Sequence, residues 1–346
     1  MNNQGALIHQ DLLFHICKNL KTVIHQNEDE FNEVKRQAGL HNSWFESRET
    51  DRMLEFIFAN YLNEEKLLTW LAKYTFNNHN LNKVVGIVAA GNIPLASFQD
   101  VWCALACGFS IQLKLSSKDQ ILSKYVYDKM NDLIPGSNSR IVYVDKLTNI
   151  DAMIASGSNL TANHFKQYAD RFPSLIRAHR NGVAILSGEE TEQEIVALGS
   201  DVFSYFGLGC RNITKIFVPD KSMILTLAKT FDHHFMYVRD NSRYNNNYEY
   251  QHAVLCLNQS TFYQANSILF NESEFINSAI AVCNFEVYKS MKELEANIQS
   301  NLNNIQCIVS NSKGLSLKTS KLGKAQWPEL LEYQDDVDLI HFLQHI

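Results

Sequence analysis

The chain has 346 residues, enough for two domains with sizeable cores, and its 45% hydrophobic and 20% charged content is that of an ordinary globular protein. With 31 basic and 37 acidic residues the net charge is −6, which argues against a general nucleic-acid binder. Seven cysteines, an odd number with no C-x-x-C spacing, suggest neither a disulfide framework nor a zinc cluster and fit the reducing cytoplasm.

At the N-terminus, Asp11 and Lys18 interrupt the apolar stretch of Leu12, Leu13, Phe14 and Ile16, so no signal peptide is read there. The longest apolar runs, at 84–90 and 101–106, fall short of the roughly 18 residues of a membrane span. The expectation is a soluble cytoplasmic protein with no membrane span and no nucleic-acid partner. Residues 1–80 read as helices, with Leu54, Ile57, Tyr61, Leu68 and Leu71 in a broad apolar stripe.

From residue 83 the pattern changes. Residues 83–90 are a continuous apolar run of buried-strand length, broken by Gly91-Asn92-Ile93-Pro94. Residues 95–106 read as a helix closed by Gly108, 111–115 as an alternating strand, 119–133 as a helix and 140–144 as another strand. Crossovers of this length permit parallel pairing, so a doubly wound, Rossmann-like sheet is predicted. A further strand at 182–186 ends at Ser187-Gly188, and a helix over 191–206 leads to Cys210 and a strand at 215–218. Residues 220–312 mix helices with strand-like stretches such as 305–309, and 241–248 reads as a polar, exposed segment.

Cys210 stands in Gly207-Leu208-Gly209-Cys210-Arg211-Asn212, on a turn between an apolar helix and a strand. Two neighbouring glycines let the backbone turn sharply and let a substrate carbon approach the sulfur. Backbone N–H groups converging there would favour a thiolate and any oxyanion formed beside it. The other six cysteines (17, 103, 107, 256, 283 and 307) are read as small buried hydrophobes. His233, His234 and His252 lack carboxylate or cysteine partners at ligand spacing, so no metal site is expected.

There is no G-x-G-x-x-G and no Walker A sequence. What exists instead resembles the LuxC-type acyl-CoA reductases of the aldehyde dehydrogenase superfamily, from about residue 84 to 218 and more weakly at Leu322-Gly323-Lys324-Ala325-Gln326. Gly86-Ile87-Val88 with Gly91-Asn92-Ile93-Pro94 is similar to the superfamily's strand and Asn-containing turn. Lys114-Leu115-Ser116-Ser117 resembles its cofactor-ribose strand, Ala155-Ser156-Gly157-Ser158 its pyrophosphate-proximal turn, and Gly207-Leu208-Gly209-Cys210-Arg211-Asn212 the reductases' nucleophile motif.

The resemblance implies an aldehyde-dehydrogenase-like α/β fold: a Rossmann-like cofactor domain at 81–187 and a smaller catalytic domain at 188–312. A helical region at 1–80 would pack on the cofactor domain, and 313–346 would return to it or form an interface. Cys210 would attack an acyl-CoA or acyl-carrier thioester, with the Asn92 amide and the Cys210 N–H holding the oxyanion. Lys114, Ser116, Ser117, Gly157 and Ser158 would bind NADPH. NAD-specific relatives carry a Glu three residues after the strand lysine, where this chain has Ser117, and a serine hydroxyl can donate to a 2′-phosphate. Each position also has a plain structural job open to it: Asn92 and Ser117 as caps or turn residues, Lys114 as a solvated charge, Gly157-Ser158 as a helix start.

Where hydrolytic relatives carry a general-base Glu, this chain reads Leu186-Ser187-Gly188, with Glu189 just beyond. An acyl group exchanged with a thiol does not need that base. The leading expectation is NADPH-dependent reduction of an acyl thioester to the aldehyde through an acyl-cysteine. The alternatives are an acyl-phosphate reductase, or an acyl-transfer or acyl-binding subunit that passes the group on without reduction. A homo-oligomer or an acyl-transfer partner protein is among the partners implied.

Overall fold

The computed structural model describes residues 4–76, 80–135, 139–157 and 171–346. They fall into two units, Met1–Ala178 with Glu329–Ile346, and His179–Pro328. Among the described residues no helix is long and apolar enough to cross a membrane.

The first unit opens with the helices Gln4–Gln26, Glu28–His41, Ser47–Asn60 and Glu64–Leu71. Its sheet has strands β1 (Val84–Val88), β2 (Ser110–Lys114), β3 (Ile141–Tyr143), β4 (Ala152–Ser156) and β5 (Ser174–Arg177). They lie in the order β3-β2-β1-β4-β5, all parallel. The run that predicted β1 is buried because strands flank it on both sides, and β4, with four buried residues, lies beside it. The helix after β1 is Phe98–Ala106, starting three residues later than predicted, because Leu95 takes a left-handed φ of 51° and keeps 94–97 as turns. Gly108, φ 83°, closes it as expected. At its first turn Asp100 meets Arg177 at 2.6 Å with both side chains buried, tying the helix to the end of β5. Removing either partner would strand a buried charge, at a cost of about 3–5 kcal/mol.

The C-terminal segment is divided. Residues 329–346 belong to the first unit, where the Tyr333 hydroxyl accepts from Trp70 Nε1 at 2.8 Å and Tyr74 donates to Asp338 at 2.9 Å. Residues 313–328 stay with the second unit.

The second unit is built on β6 (Asn181–Ile185), β7 (Ile213–Val218), β8 (Phe262–Gln264), β9 (Leu269–Glu272), β10 (Val282–Val287) and β11 (Ile305–Val309). Their order is β11-β6-β7-β10-β9-β8, parallel except for β8 against β9. Thus β6, expected in the cofactor domain, lies in this second sheet, paired with β7 and β11. Val183, Ile185 and Phe217 pack with Leu294, Ile298, Ile305 and Ile308. The buried Lys215 of β7 is tolerated because its Nζ donates to Glu286 at 2.8 Å and to the Ser273 carbonyl.

The segment 241–248, expected to be polar and exposed, instead begins the helix Ser242–Leu257. Asn241 caps it, and Tyr244 and Tyr248, four residues apart, turn inward. Their hydroxyls donate to the Ser267 and Ala265 carbonyls at 2.8 and 2.6 Å, which makes burial affordable for both rings.

Candidate active site

Cys210 lies on the turn between the helix Glu192–Phe203 and β7, at the N-terminal edge of the second sheet, half-buried. The helix ends three residues earlier than predicted and passes into a single tight turn, Ser204–Gly207. There Tyr205, Phe206 and Gly207 adopt φ values of 51°, 56° and 79°. For two aromatic residues this left-handed backbone costs roughly 1–2 kcal/mol each. Burial of both rings, worth about 1.5–3 kcal/mol apiece, offsets it. Strain of this kind, held in place by packing, collects at functional sites.

Asn212, two residues past the cysteine, is fully buried and holds the turn shut. Its Oδ1 accepts the Gly209 N–H at 2.7 Å. Its Nδ2 reaches the carbonyls of Asp201, Val202 and Ser204 at 3.0, 3.2 and 2.8 Å, which are orphan acceptors at the end of the helix. Its own N–H donates to Gly209 at 3.1 Å, and its carbonyl accepts from Gly182 at 2.9 Å. The motif therefore carries its own anchor. Nothing in the sequence reading singled Asn212 out, because its partners lie on the preceding helix.

The remaining cysteines separate by environment. Cys17, Cys103, Cys107 and Cys283 are buried, and desolvation pushes all four thiols up, Cys17 to about 11 and Cys283 to about 12. Such thiols are poor nucleophiles. Two departures from expectation appear: Cys256 is exposed on its helix, and Cys307, half-buried on β11, donates to the Arg211 carbonyl at 3.6 Å.

In the first unit Asn92 follows β1, Lys114 ends β2 with Ser116 and Ser117 just beyond it, and Gly157 follows β4. Gly91 is forced by crowding, since a Cβ there would lie 2.2 Å from Ser116 Oγ. That contact brings the turn carrying Asn92 against the end of β2. Asn92 is half-buried in this turn, and the helix that follows, Phe98–Ala106, has Ser97 at its cap position, so Asn92 is not its cap. Lys114 is exposed and its Nζ donates to the Asp145 carbonyl at 2.7 Å. Ser116 Oγ accepts from the Lys118 N–H at 3.3 Å. Ser117 is exposed, its carbonyl accepting from His41 Nε2 at 2.7 Å. It does not cap the next helix, which runs Ile121–Asp132 behind Gln120. Gly157 donates its N–H to the Arg177 carbonyl at 3.4 Å, and Ser158 lies outside the described residues.

Asp119, also missed in the sequence, binds these turns together. Its carboxylate accepts from the Leu95 N–H at 2.8 Å and from the Ser123 hydroxyl at 2.7 Å. Burial pushes this carboxyl up to about 7, against the opposing pull of those hydrogen bonds.

At the end of β6 the Glu190 carboxylate closes its own loop, accepting from Ser187 N and Oγ at 2.6 and 2.8 Å and from Gly188 N at 3.0 Å. Glu189 is exposed. Among the described residues no group of three or more His, Cys, Asp or Glu side chains is arranged to hold a metal.

The fold has close counterparts among solved structures. An aldehyde dehydrogenase from Bacillus cereus in complex with NAD+ aligns with a TM-score of 0.66 at 14% identity, over 91% of this chain and 73% of that one. Aldehyde dehydrogenase 21 from Physcomitrella patens, solved with the reaction product succinate, gives 0.62 at 14% identity over 89% and 74%. Aldehyde dehydrogenase C from Pseudomonas syringae, a mutant solved with NAD+ and octanal, gives 0.66 at 13% over 88% and 72%. At such identities the likeness is one of fold: this protein has the aldehyde-dehydrogenase-like α/β fold expected of it. No protein-family model matches the chain, and no curated protein matches it in sequence.

Proposed function

We propose that this protein reduces an acyl thioester, on coenzyme A or an acyl carrier, to the aldehyde through an acyl-Cys210 intermediate, with NADPH as the reductant. One observation carries the reading: Cys210 is a half-exposed thiol on a turn that Asn212 holds closed, directly after the strained residues 205–207, while four of the other cysteines are buried with their thiols pushed up. The Cys210 thiolate attacks the thioester carbonyl, a carbon–sulfur bond forms, and the carrier's carbon–sulfur bond breaks as its thiol leaves with a proton. The Asn92 amide and the Cys210 N–H are assigned to the oxyanion in between.

The engagement of Glu190 with its own loop supports a thiol rather than water as the exchanging group, since that carboxylate is already committed to three donors. Toward the cofactor, the donor set after β2 fits a phosphorylated ribose. Lys114, Ser116, Ser117 and Lys118 offer cations and hydroxyls, and the carboxylate of Asp119, the next residue in the chain, is buried and turned to Leu95 and Ser123. Lys114, Ser116 and Ser117 would hold the ribose and its phosphate, with Gly157 and Ser158 toward the pyrophosphate. When bound, the nicotinamide supplies the hydride that converts the acyl-cysteine to aldehyde and frees the thiol.

Intact mass after incubation with a panel of acyl-CoAs tests this. A single acyl adduct is expected, discharged as aldehyde when NADPH is added. An adduct that persists with NADPH points to an acyl-transfer subunit, and one formed only from acyl phosphates points to an acyl-phosphate reductase.

A further inference from the structure

Asp201 lies in the last turn of the helix Glu192–Phe203 with its side chain buried. Its two oxygens accept the N–H groups of Gly323 at 2.6 Å and Ala325 at 2.9 Å, and the Gln326 N–H is a further donor. These partners are more than a hundred residues away in the chain. The backbone carbonyl of the same residue accepts from Asn212 Nδ2 at 3.0 Å, and Asn212 in turn holds Gly209. One residue therefore grips the segment 323–326 with its side chain and, through Asn212, the Cys210 turn with its main chain.

The grip is tight on the far side. Gly323 has φ 82°, and a Cβ there would lie 2.8 Å from the Cβ of Ala197 on the same helix. No other residue type sits there without moving the segment off Asp201. Between Glu295 and Glu329 the chain has no acidic residue, so Asp201 is an acid borrowed from another element to fix this stretch. Burial pushes its carboxyl up to about 7, with the backbone N–H bonds and Lys324 pulling it down.

We propose that Asp201 is a positioning residue for Cys210: it fixes the nucleophile's turn and the segment 323–326 as one piece, so the reactivity of the thiol depends on a carboxylate that lies outside the nucleophile's turn. The proposal rests on Cys210 being the nucleophile, and its test needs no acyl substrate.

Alkylation by iodoacetamide, read by peptide mass, supplies it, with the exposed Cys256 of the same molecules as internal reference. In Asp201→Asn the ratio of Cys210 to Cys256 alkylation rates is expected to fall roughly tenfold or more, as for a nucleophile displaced by a fraction of an ångström. Gly323→Ala, which moves the segment and leaves the carboxylate in place, is expected to lower it likewise and decides the matter if Asp201→Asn does not fold. Leu294→Ala, a truncation in the core beside β11, loosens the unit elsewhere and is expected to keep the parent ratio. A parent ratio in Gly323→Ala, or an equal fall in Leu294→Ala, would overturn the proposal. Absence of any acylation by acyl-CoAs would instead sink the proposed reaction and leave this result standing.

Discussion

The Asn212 side-chain oxygen lies 2.7 Å from the Gly209 nitrogen, spanning the two residues of the Cys210 turn like a clasp. The amide nitrogen of the same side chain takes up the carbonyls of Asp201, Val202 and Ser204. An asparagine, with one acceptor and two donors on a short stem, is the side chain that can do both. Asn212→Ala leaves a donor and three acceptors buried without their partner, so a loss of about 2–4 kcal/mol is expected in urea unfolding. Asn212→Asp is expected to lose at least as much, since a second oxygen would face the carbonyls. A loss under about 0.5 kcal/mol for Asn212→Ala would remove Asn212 from this role.

Asp119 sets a pH dependence. Its carboxyl, pushed up to about 7 from 3.8 by burial, is harder to ionise in the folded protein than in the unfolded chain. Its contribution to stability is therefore complete below about pH 4 and is lost as the pH rises through 7. Asp119→Asn stays neutral throughout. Relative to this variant, the parent should lose stability between pH 5 and pH 8, by at most about 1.4 kcal/mol per pH unit. Urea midpoints of both proteins at the two pH values check the sign, and a parent-to-variant difference that does not change with pH contradicts it.

Asn92→Ala is expected to slow acylation of Cys210 by roughly two to three decades, the usual loss for one oxyanion donor, with little change in fold. Since Asn92 does not cap the helix after β1, the variant removes no cap. Stopped-flow acylation with matched circular dichroism measures it. Unchanged rates would return Asn92 to the geometry of its turn.

Ser117, exposed at the end of β2 and clear of any helix cap, is the position that should select the cofactor. The parent is expected to prefer NADPH, and Ser117→Glu to shift the ratio of kcat/KM values toward NADH by placing a carboxylate against the 2′-phosphate. A parent that prefers NADH, or a ratio that does not move, removes this strand end from the ribose site.

The parts of the fold that were legible in the sequence are those a local pattern can carry. The apolar run of β1, the alternation of Ile111 and Leu113 in β2 and the closing Gly108 each report on their own neighbours. The turn that carries Cys210 was legible too, because its glycines are visible in the string. Asp119 and Asp201 were not, since a buried carboxylate looks like any acid until its partners, Leu95 or Gly323, are brought to it by the fold. The assignment of β6 failed for a related reason: an apolar strand carries no mark of which sheet will take it, and pairing with β7 and β11 decided that. The exposed reading of 241–248 overlooked that two tyrosines four residues apart form one inward face.

Everything proposed for this site depends on Cys210 forming the acyl-enzyme. Intact and peptide mass spectrometry of the parent and of Cys210→Ala after acyl-CoA treatment reads that step. The parent should gain one acyl group, mapped to Cys210, and Cys210→Ala should gain none while Cys103→Ala and Cys107→Ala, altered only in their buried helix, keep the adduct. An adduct that survives in Cys210→Ala would contradict the account.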